Sequence, residues 1–152
     1  CDKTNDIEPT YISRRYEFSS TKRITQIYQV REYFSTPCAK LISKDYIQDY
    51  RFKTQFKNSE DALFMFAISC NIRKIEFTDS DVVYYRRIRE DSANFRVRRR
   101  WNIICNDLKI LYEMIRYFFR KPFKYNTLFA LTRPLAILNK HIHMFFDNCD
   151  SN

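Results

Sequence analysis

Apolar residues recur at three- and four-residue spacing over most of the chain, the period of helices with one apolar side. The clearest run is Trp101, Ile104, Cys105, Leu108, Leu111, Tyr112, Ile115 and Phe119. It predicts an amphipathic helix that Pro122 ends. A last helix is expected over 132–146, with Pro134 in its first turn and Leu135, Leu138, Ile142 and Phe145 on one face. Upstream, Asp6, Glu8 and Pro9 mark the start of a first helix running to Phe34, with Tyr16, Ile24, Ile27 and Tyr28 as apolar markers. Thr36 and Pro37 read as a cap and a first helical position. A second long helix should follow to Ile75, carrying Leu41, Ile42, Tyr50, Phe56, Leu63, Phe64, Ala67, Ile68 and Ile72. Asn58-Ser59-Glu60 is a candidate interruption, with Ser59 capping a separate helix from 60. Thr78-Asp79-Ser80-Asp81 predicts the start of a third helix through Val82, Tyr85 and Ile88, which Asp91-Ser92-Ala93-Asn94 would break. No alternating strand pattern, internal repeat or low-complexity tract interrupts this reading. The expected fold is all-α: about five helices in a single bundle, one domain over 1–152 with acidic tails.

Composition supports helices over sheets. The 152 residues contain no glycine, against an average near 7%. Glycine is the ready residue for primed hairpins, bulges and phosphate-cradling loops, so a β-sandwich, a Rossmann turn and a P-loop are all disfavoured. The richest apolar run, 63–70, falls well short of the roughly 18–20 residues of a membrane span. The chain opens at Cys1 without a Met, which reads as a processed product of the secretory route. Five cysteines in an exported chain suggest up to two disulfides; Cys1 with Cys149 would clip the termini together, while Cys70 and Cys105 equally read as small buried hydrophobes.

Charge then says what kind of surface the bundle carries. The formal net charge is +9. Between Arg73 and Lys124 there are 14 Lys/Arg against 7 Asp/Glu, so the surplus is concentrated there. Arginine binds planar anions with a rigid fork and stacks on rings. Arg86, Arg87, Arg89, Arg96, Arg98, Arg99 and Arg100 form the densest cluster, followed by Arg116, Arg120, Lys121 and Lys124. Successive helical residues stand about 100° apart, so such runs create a positive field around a helix rather than one socket. Trp101, Tyr117, Phe118, Phe119, Phe123 and Tyr125 are interleaved with these cations. Three consecutive rings at 117–119 span about 200° of a helix, so one buried face cannot hide them all. The partner this surface implies is an anionic membrane surface or an acidic protein. Self-association into a homo-oligomer is also compatible with it.

Catalysis finds little in the chain. No nucleophile elbow, H-E-x-x-H or Cys–His signature is present. His141 and His143 stand on different sides of a helix and no C-x-x-C occurs, so neither a metal nor a cofactor is expected. Nucleic-acid binding lacks an RNP motif, a zinc finger or a helix-turn-helix and ranks behind a membrane or protein partner. A secreted helical cytokine is the rival class; Tyr46-Ile47-Gln48-Asp49-Tyr50 and the apolar last helix would suit receptor contacts.

Four segments carry a family resemblance. They are Ile7-Glu8-Pro9-Thr10-Tyr11-Ile12 followed by Tyr16-Glu17, Ala62 to Ile68, Tyr84-Tyr85-Arg86-Arg87-Ile88-Arg89, and Lys121-Pro122-Phe123-Lys124-Tyr125. Together they resemble the abalone sperm acrosomal proteins, the family of lysin and its fusagenic paralogue. The chain departs from lysin in lacking glycine and in carrying cysteines, and its aromatic load is more similar to the fusagenic branch. The resemblance implies a lysin-like helical bundle, secretion from the sperm acrosome, and a non-enzymatic role in fertilization. That role would be membrane fusion or, in the lysin manner, dissolution of the egg coat through an acidic component.

Overall fold

Helix α2, Glu60–Ser69, is the central rod of the structure. Every residue from Leu63 to Ser69 is buried, and a helix without a polar side belongs inside. The computed structural model describes Tyr16 and residues 26–56, 58–79, 81, 82, 84 and 100–146. Among them all regular structure is helical: a 3-10 helix Ile27–Ser35, a single turn α1 Lys44–Ile47, α2, the long α3 Arg100–Arg120, a 3-10 turn Pro122–Lys124, and α4 Thr127–Phe146. The first 3-10 helix packs on α2 and on α4, α2 packs on α3, and α3 packs on α4, which closes a ring around the core; α1 lies against α2.

That core is aromatic. Phe66 stacks on Tyr125 with ring centroids 5.2 Å apart and lies parallel to Phe129 at 6.0 Å. Phe34 meets Phe129 edge-on at 5.1 Å. Val30, Phe56, Ile110 and Met114 complete it. Ring pairs of this kind add about 0.5–1.5 kcal/mol beyond area burial, so they fix the mutual position of α2, α4 and the first 3-10 helix.

The helix boundaries follow local chemistry. Asn126 Oδ1 accepts the Phe129 amide at 2.9 Å, the side-chain cap of α4. Helix α4 therefore begins at Thr127 rather than near 132, and Pro134 lies inside it instead of in its first turn. Pro122 stops α3 as expected. The expected second helix to Ile75 does not form as one element; only α1 and α2 are helical within it. Ala39, Gln48 and Ser59 adopt positive φ there, and each breaks the helical path. Thr36 is a boundary, but not a helix cap: its hydroxyl oxygen accepts the Cys38 amide at 3.2 Å and closes a turn. Ser59 does precede α2, yet at φ 62 its side chain makes no cap bond. The expected first helix reaches 34 only as a 3-10 segment beginning at Ile27, because Gln26 is extended; of its earlier part Tyr16 is described, and the rest lies outside the described residues. Residues 78, 79, 81, 82 and 84 are not helical. Val82 donates its amide to the Asp79 carbonyl, making a turn where a helix start was expected.

Candidate functional site

The α3–α4 connection gathers the basic and aromatic residues of 116–125. Lys121 donates its amide to the Phe118 carbonyl, Pro122 blocks continuation, and the short 3-10 turn swings Phe123 outward. Phe123 is fully exposed, and Phe119 is 72% exposed. The Arg120 and Lys124 side chains are exposed beside them, with no acidic partner among the described residues. This tip is a projecting pair of rings flanked by two solvated cations.

The rest of that segment serves the fold. Tyr125 is buried, not surface-exposed as expected; its hydroxyl donates to the Ala67 carbonyl at 3.1 Å. Burial, helped by the neighbouring Cys70 thiol, pushes the Tyr125 phenol well above its ordinary value. Tyr117 and Phe118 are half-buried against the core. The Lys121 ammonium donates to the Tyr50 hydroxyl at 3.3 Å and lies 5.5 Å from the Tyr50 ring centroid. Burial raises the Tyr50 phenol as well, with the Cys70 thiol second. Arg116 donates to Glu113 at 3.1 Å, and Lys53 reaches the same buried carboxylate from the α1–α2 connection. Of the four cations expected near this tip, two are thus bound to the protein itself and two face solvent.

The remaining expected sites divide as follows. Trp101 is 76% exposed at the start of α3. Arg100 opens that helix, but its side chain lies outside the described residues. Arg86, Arg87, Arg89, Arg96, Arg98 and Arg99 also lie outside them, as do Cys1 and Cys149. Cys105 is exposed, not a buried hydrophobe.

A second surface was not anticipated. Of the α3 stripe that periodicity picks out, Ile104 and Leu111 are half-buried and the rest turns away from the core. Trp101, Cys105, Leu108, Tyr112, Ile115 and Phe119 are all exposed, at spacings of four and three in strict alternation. The core side of α3 carries Ile110 and Met114 together with buried Asp107 and Glu113. On α4 the same alternation runs through Leu128, Leu131, Leu135, Leu138 and Ile142, again all exposed. Asp107 accepts a hydrogen bond from Lys140 at 2.8 Å, and His141 Nε2 lies 3.1 Å from the same oxygen, which pins the two helices side by side. Placing that contact on each helical wheel leaves both rows beyond it, opposite the core. The rows therefore form one continuous apolar face with no charged residue in either. The strict alternation is the sequence signal that could have revealed it.

Among the described residues no cluster of His, Cys, Asp and Glu could hold a metal ion, and no helix is long and apolar enough to cross a membrane. Comparison with known proteins gives no match to any family model, curated protein or solved structure.

Proposed function

We propose that this chain is a non-enzymatic, exported protein that binds anionic membranes through the α3–α4 tip and promotes the joining of bilayers. A setting in fertilization, at the sperm acrosome, is the form of this reading that the family resemblance suggests. The observation that carries it is the projection of Phe119 and Phe123 beside Arg120 and Lys124. A ring entering the headgroup region gains roughly 1.5–3 kcal/mol from leaving water. A cation near an anionic leaflet gains about 1 kcal/mol. Two of each give an attachment that is real but reversible, so several copies must act together on apposed membranes.

The test is binding and lipid mixing with phosphatidylcholine vesicles, with and without phosphatidylserine. Binding should need the anionic lipid and weaken as salt rises. F119S/F123S should abolish lipid mixing, and R120E/K124E should abolish the preference for anionic vesicles, with helical content unchanged in both. Vesicles left intact by the wild-type chain, or mixed equally well by both variants, would overturn the reading. Tight capture by a receptor ectodomain with inert vesicles would favour the cytokine class instead.

A further inference from the structure

We propose that the apolar face of α3 and α4 is covered in solution by a second copy of this chain, the two hairpins closing into a four-helix interface. This goes beyond the membrane reading and stands without it, since face and tip share only Phe119. The first ground is periodicity. A stripe facing a globular core follows the 3.6-residue turn, but both rows here alternate by four and three, a 3.5-residue repeat. That repeat is the signature of knobs-into-holes contact between long helices. Among the described residues neither row has a helix to meet, since α2 and the first 3-10 helix lie on the other side.

The second ground is area. Ten large apolar side chains on this face are each roughly half or more exposed. Aromatics bury 150–250 Å² when fully covered and aliphatics somewhat less, so the face offers on the order of 1,000 Å² per protomer. A stable interface takes about 800 Å² from each partner. Two-fold pairing would place each hairpin against its own copy, the isologous arrangement that closes without leaving the same face free.

The third ground separates this occupant from others. Interfacial lipid-binding helices carry Lys and Arg along the rim of their apolar side. Beside the α4 row there is no such rim: that helix has only Arg133 and Lys140, the Arg133 guanidinium lies 5.0 Å from the Phe129 ring centroid, and the half-exposed Lys140 pairs with Asp107.

Sedimentation equilibrium of the full chain across micromolar concentrations tests this. The expected mass is twice the 18.7 kDa of one chain. L108E/L135E places two carboxylates in the face; it should run as a monomer and keep the wild-type circular dichroism. Alkylation mapped by mass spectrometry gives a readout that needs no variant. Cys105 lies in the face and Cys38 in an exposed turn outside it, so concentrating the protein should protect Cys105 while Cys38 keeps reacting. A wild-type monomer at these concentrations overturns the proposal, whether Cys105 reacts freely or is shielded within one chain. So does a face whose L108E/L135E change abolishes vesicle binding but leaves the mass unaltered. Failure of the tip variants in vesicle assays bears on the membrane reading alone.

Discussion

A chain without glycine must still turn, and among the described residues three bear the strain. Gln48 is the most demanding, at φ 49 and ψ −124, outside the left-handed helical well. Its amide donates to the Lys44 carbonyl at 3.0 Å and ends α1. Conformations of this kind cost on the order of 1–3 kcal/mol in non-glycine residues. Gln48→Gly should therefore stabilise the fold by about 1 kcal/mol, the relief being partly offset by a freer unfolded chain; urea unfolding would measure it, and a loss of stability would refute the strain. Tyr125 makes a second prediction. Its phenol is raised in the fold, so the neutral form is favoured there. The associated stability is fully present below the ordinary phenol value of about 10 and is lost as pH climbs above it. Tyr125→Phe should flatten the alkaline fall in stability above pH ~10 relative to wild type. At neutral pH it should cost about 1 kcal/mol for the lost bond to Ala67.

At the scale of elements, the junction of α3 and α4 depends on one buried carboxylate. Asp107 is buried while Lys140 reaches it from the half-exposed edge of α4. Removing Lys140 and His141 strands the buried carboxylate; removing the carboxylate lets Lys140 turn to solvent. K140M/H141L should cost roughly 3–5 kcal/mol, and adding Asp107→Leu to it should recover much of that loss. The comparison by urea denaturation fails if the double variant is as stable as wild type. The stacked rings of Phe66, Tyr125 and Phe129 hold α2 to α4. Phe129→Ala leaves a void that no neighbour fills, for an expected loss of about 3–5 kcal/mol in the same assay.

At the scale of the molecule, two surfaces stand out: a projecting basic tip and a long uncharged face. If the face is shared by two copies, folding and association are linked. Thermal unfolding should then shift to higher temperature as protein concentration rises, and L108E/L135E should lose that dependence. A midpoint independent of concentration in the wild-type chain would contradict it. In such a dimer the cationic surplus would oppose further association, and Arg120 and Lys124 would stay exposed.

The sequence by itself determined the all-helical character, the span of α3 within a residue of each end, the stop at Pro122 and the place of Ser59 before α2. These are local outcomes, set by spacing, by the missing glycine and by what proline cannot do. It also marked 117–119 as three rings that one buried face could not hide, and Phe119 stands outward. Only the tertiary structure decided which side of α3 points inward. That helix is apolar around most of its circumference, so periodicity locates a stripe without naming its partner. The uniformly apolar α2 takes the centre, and Lys53, Lys140 and His141 arrive from distant positions to satisfy Glu113 and Asp107. With those carboxylates neutralised, the polar-bearing side of α3 can face the core and the richer apolar side is left outside. The same long-range placement buried Tyr125 and broke the expected second helix. Pairings between residues far apart in the chain leave no trace in local spacing.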